Sequence, residues 1–324
     1  MFSKAFCILV VAGLTGFGPI LKAQSAPVEA AKSLLDSCPE NLKAKISLPF
    51  DSPNRTNWHY FPRERDGAPI GDMNEEEKGA LRALLGTALS ETGLEEVDAV
   101  MRLEQVLFDQ SQSPGRDPGN YQLVIWGEPA KDKTWGWRFE GHHLSVNVTM
   151  DGDETLAVTP TFFGANPATV GEGRWEGFRA LPTQEDLARE FMLSLPREQR
   201  EQAIVEGELT DVASGGEAQI NPGDVAGIKA ESLSPDDRAL LVELIGSYTK
   251  WFRPEVAEKL GLTREQLADD PELVFHWMGG LGEGDVLHTY RISGKSFDIQ
   301  YANHQNAANH VHTLFRTIGH DFGE

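Results

Sequence analysis

The chain has 324 residues and carries 29 lysines and arginines against 50 aspartates and glutamates, a formal net charge of −21. Hydrophobic residues make up 40% of it, a composition typical of folded rather than disordered chains. The acidity argues against binding to nucleic acid or to an anionic membrane, because both need clusters of lysine and arginine. Composition therefore excludes classes of partner, but it leaves the activity and the oligomeric state open.

Residues 1–23 are predicted to be a signal peptide. One lysine precedes a mostly apolar run broken by glycines, and Leu21-Lys22-Ala23 offers a small-residue cleavage point before Gln24. This pattern is typical of secretory signals. We therefore expect an exported protein, periplasmic or extracellular, with no membrane segment after cleavage. Cys38 is the only cysteine of the expected mature chain, so no internal disulfide is expected.

The mature chain is predicted to alternate between groups of helices and groups of strands. Apolar residues at helical spacing and capping residues such as Asn74 and Ser234 predict helices; these cover 26–35, 74–89, 95–108, 183–195, 197–205 and 234–252. Alternating and β-branched patterns predict strands over 121–126, 134–140, 143–150, 155–161, 273–277, 287–292, 297–301 and 310–315. Because the strands come in tight pairs, we expect an α+β fold with antiparallel sheets, in a single domain over 24–324.

Two segments of the chain are similar in pattern. Residues 137–147 (WRFEGHHLSVN) align with residues 290–300 (YRISGKSFDIQ): both show an aromatic residue, arginine, an apolar residue, a polar residue and glycine, followed by alternation. Each pattern predicts a hairpin with glycine at its turn. We therefore expect two similar β-hairpin blocks, each preceded by helices, over about 73–165 and 182–316. Few positions are identical, so a chance similarity stays open.

Histidines concentrate in the predicted hairpins. His310 and His312 lie two apart on a predicted strand, so their rings share one face. His142 and His143 are adjacent in the first hairpin; by the same rule Glu140 and His142 share a face, whereas His143 points away. These four histidines are candidate ligands for a divalent transition metal, namely zinc, copper or iron. Alternatively, they form hydrogen bonds to the backbone or line a polar seam.

Glu104 and Glu140 are the candidate catalytic carboxylates. On a helical wheel, Glu104 falls inside an apolar arc that includes Val100, Leu103 and Leu107. A carboxylate there is costly unless it is paired or protonated, so it indicates either a functional acid or base, or a metal ligand. The alternative is a structural ion pair with an arginine such as Arg138 or Arg291.

Five residues are candidates for substrate binding. Arg138, Arg291 and Arg316 lie in or after otherwise apolar strands, where arginine binds carboxylate or phosphate groups. Trp137 could form a pocket wall, and Asn309 belongs to an amide-rich turn beside the histidine pair. The alternative for the arginines is pairing with internal acids.

Several motifs together are similar to those of the domain-of-unknown-function family 3500. They are residues 58–62 (WHYFP), the helix with Leu103-Glu104, and residues 137–145 (WRFEGHHLS), 160–165 (PTFFGA), 309–316 (NHVHTLFR) and 321–323 (DFG). The resemblance extends from residue 54 to the C-terminus. It implies membership of a family of mostly exported proteins and brings no activity or ligand set with it.

The leading hypothesis is an exported protein with a histidine-centred metal site, more readily a hydrolase than an oxidoreductase. The ion would lower the pKa of a bound water, and a free carboxylate would take its proton. The alternative is a non-catalytic exported protein that binds a small molecule and uses its histidines and arginines as a structural network. The sequence does not decide whether the protein is an enzyme.

Overall fold

A computed structural model describes residues 25–213, 218–221, 223, 225–282 and 286–324. The predicted signal peptide lies outside these described residues, so export stays a prediction. Within the described part of the chain, no helix combines the length and apolar character needed to cross a bilayer.

The helices begin at residues that the sequence marks as caps. Asn74 accepts hydrogen bonds from the first turn of its helix while Glu77 bonds back to the Asn74 N–H, and Ser234 caps a second helix. The helices are α1 (Pro27–Ser37), α2 (Glu40–Ile46), α3 (Glu75–Leu85), α4 (Glu91–Ser111), α5 (Pro182–Ser194), α6 (Arg197–Ala203), α7 (Pro235–Thr249), α8 (Pro254–Lys259) and α9 (Arg264–Ala268).

The strands of the described residues form one mixed, mostly antiparallel sheet of 12 strands. They are β1 (Ser47–Leu48), β2 (Ala68–Pro69), β3 (Gln122–Trp126), β4 (Thr134–Gly141), β5 (Leu144–Asp151), β6 (Glu154–Ala157), β7 (Thr161–Ala165), β8 (Ile228–Lys229), β9 (Val274–Gly279), β10 (His288–Ser293), β11 (Phe297–Gln305) and β12 (His310–Thr317). The order across the sheet is β1-β3-β4-β5-β7-β12-β11-β10-β9-β8, with β2 beside β3 and β6 beside β5.

The pairing of β7 with β12 joins the earlier and later strands at the middle of this sheet. In that antiparallel pair Gly164 stands opposite His312, and Phe162 stands opposite Leu314. Strands from both halves of the chain are therefore neighbours at one place, and the side chains of β12 lie beside those of the first hairpin.

The two faces of the sheet bury different clusters. Phe163 and Phe315 belong to the main hydrophobic core, which also contains the apolar faces of the helices. Their neighbours Phe162 and Leu314 face the other way and pack with Tyr60 in a second, smaller cluster. Alternation along each strand gives this division. Because Val311 faces the main core, His310 and His312 lie on the side of the smaller cluster.

The predicted α+β class is confirmed, with two corrections. The strands form one continuous sheet rather than separate sheets, because β7 and β12 pair. The predicted strand 155–161 is two strands, β6 and β7, because the chain turns between them at the Thr159–Pro160 peptide. Short elements without periodicity, such as α2 and β8, were not predicted. The hairpin-block repeat and the division into domains stay predictions.

His288 makes the stability of this sheet dependent on pH. Its ring is fully buried and stacked on Trp277 at 4.3 Å, and burial lowers its pKa from 6.5 to about 4. Between these values the unfolded chain binds a proton that the folded chain does not, so stability falls as the pH falls from 6.5 to 4. The decrease in the free energy of unfolding that follows from this pKa difference is about 3 kcal/mol. We expect His288→Phe to abolish it.

Urea unfolding of both proteins at several pH values between 7 and 4 measures this difference. His320→Ala, at an exposed histidine, is the control and should follow the wild type. Parallel stability curves for the wild type and His288→Phe would contradict the assignment.

Candidate metal centre

Three imidazoles converge at the centre of the sheet. His310 and His312 come from β12, and His143 comes from the turn between β4 and β5. The Nε2 atom of His143 lies 2.9 Å from Nε2 of His310 and 3.2 Å from Nε2 of His312. His143 and His312 are buried and His310 is partly buried. The ligand atoms of the three residues lie within 4.8 Å of one another, so the triad could hold a metal ion.

The backbone of His143 is held in an unusual conformation. Its φ of 62° lies in the left-handed region, which is uncommon for any residue other than glycine. Its N–H donates to the Tyr60 carbonyl at 2.8 Å, and its carbonyl accepts from the Gly164 N–H at 2.8 Å. Such conformations cost about 1–3 kcal/mol and concentrate at functional sites. The rule of alternating faces fails here because it applies only to extended backbone.

Burial lowers the pKa of two of the three rings, those of His143 and His310. Burial, followed by the charges of the neighbouring histidines, lowers the pKa of His143 well below its ordinary value. Burial also lowers the pKa of His310 to about 4. Two facing N–H groups or two facing lone pairs repel each other at these N–N distances. A shared proton or a bound cation between the rings would remove this repulsion.

Asp211 orients one of the three rings. Its Oδ1 lies 2.6 Å from Nδ1 of His312, so the Nδ1–H donates to the carboxylate and Nε2 presents its lone pair to the triad. Burial raises the pKa of Asp211, but bonds from His312 and the Val212 N–H outweigh this effect and lower it. A carboxylate behind a histidine is the usual outer support of a metal ligand.

Asp211 was not among the residues predicted from the sequence. The residue lies in a segment without helical or strand periodicity, and it is 101 positions away from the ring it contacts. Only the folded arrangement shows its role.

His142 is not part of the triad, although its ring stacks on that of His143 at 3.7 Å. Its Nδ1 lies 2.5 Å from Oε2 of Glu104, a side chain of α4 that is only 3% exposed. Nη1 of Arg116 lies 2.6 Å from Nδ1 and 2.9 Å from Nε2 of His142, and 3.6 Å from the other Glu104 oxygen. Burial lowers the pKa of His142, although Glu104 beside it acts to raise it. The partners of Glu104 are thus His142 and Arg116, and neither Arg138 nor Arg291.

A polar cleft of about 580 Å³ adjoins this pair. Its lining residues include Glu104 and His142, together with Arg63, Asn120 and Gln122. Because the His142 ring also touches His143, the cleft and the triad are separated by one imidazole.

Glu140 lies away from the triad in an ion-pair network. Its carboxylate accepts from Nε of Arg65 at 2.8 Å and lies 3.3 Å from Nε of Arg138. Ser145 and the His59 N–H donate to its other oxygen. The alternation rule places Glu140 on the face of these arginines, where both of its oxygens accept hydrogen bonds.

Four of the five candidate substrate-binding residues have polar partners within the protein, and the fifth, Trp137, is buried in the core. Arg138 pairs with Glu140 and packs over Trp126, Arg291 pairs with Asp298, and Arg316 pairs with Asp321. Trp137 is 1% exposed within the main core. Asn309 bonds the backbone of Thr169. The structure does not bring these five side chains together around the triad.

Gly164 leaves the space that two of the triad rings occupy. A Cβ at this position would lie 3.1 Å from ring atoms of both His143 and His312. We expect Gly164→Ala to displace these rings by a few tenths of an ångström and to weaken zinc binding about tenfold, as displaced supporting groups do. Zinc titration by calorimetry measures the change.

Gly171→Ala is the matched control, because a Cβ there meets open space. Equal zinc affinities for Gly164→Ala and Gly171→Ala would show that ring placement does not depend on Gly164. Melting temperatures of both variants separate a local displacement from unfolding.

Comparisons with known proteins place the chain in one family. No curated protein and no solved structure matches it. The family model described as a protein of unknown function, DUF3500, matches residues 22–324 and therefore nearly the whole sequence. The resemblance expected from the motifs is confirmed: the chain belongs to the DUF3500 family.

Proposed function

We propose that this protein is an exported metal-dependent hydrolase whose ion is bound by His143, His310 and His312. The observation that carries the proposal is the convergence of three Nε2 atoms, two of them 2.9 Å and 3.2 Å from the third. Three protein ligands with a remaining position for water or substrate are typical of catalytic zinc sites, whereas structural zinc sites use four.

The support around the triad favours a metal over a purely structural cluster. Asp211 holds His312 in the tautomer that presents its Nε2 lone pair to the other rings. A polar seam needs only partners for its hydrogen bonds, and those can come from any tautomer. Placing three unprotonated nitrogens at one point is what binding a cation requires.

The ligand chemistry favours zinc. Imidazole nitrogen suits zinc, copper and iron, and it suits calcium and magnesium poorly. Zinc has no redox chemistry of its own, and its Lewis acidity suits hydrolysis. Copper or iron in the same ligands would make the protein an oxidoreductase, and the metal analysis below separates these outcomes.

In this proposal, His142 and Glu104 transfer the proton that the bound water releases. A bound divalent ion supplies Lewis acidity and lowers the pKa of water at the open position. His142 stacks on the ligand His143 and lines the cleft from which substrate would approach. Glu104 accepts from its Nδ1–H, which leaves Nε2 able to take a proton, and stabilises the imidazolium that results. Arg116, whose Nη1 lies 2.6 Å from Nδ1 and 2.9 Å from Nε2, must turn aside from both ring nitrogens for this step.

Metal binding is the direct test. We expect protein stripped with a chelator to bind one equivalent of Zn²⁺ per chain and to gain about 2.7 kcal/mol of stability at a free zinc concentration 100 times Kd. His143→Ala and His312→Ala should each abolish this gain, and Asp211→Asn should weaken binding 10- to 100-fold. Calorimetry, elemental analysis and thermal unfolding measure these effects.

His320→Ala, at an exposed histidine outside the triad, is the control and should bind zinc like the wild type. A melting temperature that ignores both chelator and added zinc, copper and iron would overturn the proposal. Bound copper or iron with redox activity would replace the hydrolase with an oxidoreductase.

Proton transfer is tested with His142. We expect the zinc-loaded protein to hydrolyse at least one of a panel of p-nitrophenyl esters of carboxylic, phosphoric and carbonic acid. His142→Asn should lower kcat between about 100-fold and 10,000-fold while leaving zinc affinity within twofold, because His142 moves a proton but binds no metal. A variant that loses zinc and activity together would instead make His142 part of the metal site. Zinc binding without hydrolysis of any ester would favour the non-catalytic alternative.

A further inference from the structure

The cleft beside His142 continues into a second cleft of about 300 Å³. Both are lined by Arg63, Glu64 and Arg65, so the two form one depression along this loop. We call it the polar groove. Each part falls within or near the size range of small-ligand sites, which is about 300–1,000 Å³. Its lining, however, is composed mainly of charged and amide side chains, whereas most such sites are predominantly apolar.

We propose that the polar groove binds a saccharide, which the metal centre would act on as its substrate. This naming of the substrate rests on the proposed function, but saccharide binding itself requires no metal. The proposal depends on the mixed charges of the groove, on one buried carboxylate oxygen that accepts no hydrogen bond and on an exposed aromatic ring at the same loop.

The charges of the groove alternate in sign. Residues 63–66 read Arg-Glu-Arg-Asp, and all four line the second cleft. An anionic ligand placed here would meet Glu64 and Asp66, and a cationic ligand would meet Arg63. A neutral ligand with many hydroxyl groups avoids repulsion between like charges. Each of its hydroxyls can both donate a hydrogen bond to a carboxylate and accept one from an arginine. Asn120 and Gln122 add amide groups with the same double capacity.

Glu104 lines the groove, and one of its carboxylate oxygens accepts no hydrogen bond. This oxygen, Oε1, is buried, and its ion-pair partner Arg116 lies 3.6 Å away. The residue is 3% exposed and lines the His142 cleft. A buried carboxylate oxygen without a hydrogen bond is unfavourable, because it has lost its bonds to water. A hydroxyl donor from the ligand would satisfy it beside His142, where the chemistry is proposed to occur.

The loop also exposes an aromatic ring. Phe61 is 43% exposed, and its ring lies 4.8 Å from that of His59. Its neighbours Pro62 and Arg63 line the His142 cleft. An exposed aromatic ring beside a polar groove offers a surface for the C–H face of a sugar ring. A peptide would need apolar pockets for its side chains, and the groove provides few, so the saccharide fits better.

The test uses defined probes on the full chain. We expect at least one of cellohexaose, maltohexaose, xylohexaose and chitohexaose to bind with a Kd below 1 mM by calorimetry, with hexa-alanine and inorganic phosphate not binding. Arg63→Ala and Asn120→Ala should each weaken binding about threefold to tenfold, the effect of one hydrogen-bonding side chain. Glu104→Gln should also weaken it, because an amide that turns its NH₂ toward the ligand no longer accepts a hydroxyl proton.

Arg197→Ala is the matched control, since Arg197 is an exposed arginine of α6. It should bind the saccharide like the wild type. Binding of none of the four saccharides, equal binding by Arg63→Ala, Asn120→Ala and the wild type, or preference for hexa-alanine would each overturn the inference.

The same samples separate this inference from the proposed function. His312→Ala should lose zinc yet keep its saccharide affinity. Zinc binding without saccharide binding would overturn the inference and leave the metal site standing. If the protein binds a saccharide through Arg63 and Asn120 but binds no metal, the proposed function is overturned. The inference about the polar groove is then still supported.

Discussion

The candidate centre depends on the pairing of β7 with β12. This pairing brings together residues that are 167 positions apart in the chain, as in the contact between His143 and His310. Gly164, at the middle of β7, donates its N–H to the His143 carbonyl and stands opposite His312. One residue thus fixes the hairpin turn and borders both strands of the site. Loss of this register would move His143 away from β12, whatever happened to the rest of the core.

Several local features around the triad are unfavourable to the stability of the folded chain. His143 has a left-handed backbone, three imidazole nitrogens meet, and one strand position is a glycine that contributes no packing of its own. Elsewhere local preference and fold agree, as in the Asn74 capping box. Departures that coincide at one place are expected where function sets the structure. Their coincidence is therefore a stronger argument for a site than any one of them.

The sequence predicted the parts of the fold that have a period and missed the parts that do not. The alternation in β12 correctly placed His310 and His312 on one face, and the apolar arc of α4 marked Glu104 as a buried acid. Sequence could not show that His143 rather than His142 turns toward β12, because this depends on a left-handed residue in the turn. Nor could it find Asp211, whose contact with His312 exists only after a non-periodic segment crosses the sheet.

The acids around the triad help to determine what it can bind. Asp211 is engaged by His312, and Glu140 is engaged by Arg65 and Arg138. Glu104 holds His142 with one oxygen. A formal charge of −21 attracts cations in general, and free carboxylates at the centre would favour calcium or magnesium. Because these carboxylates are already paired, nitrogen atoms alone face the common point. The net negative charge concentrates cations near the surface, and the imidazole nitrogens of the triad suit transition metals better than calcium or magnesium.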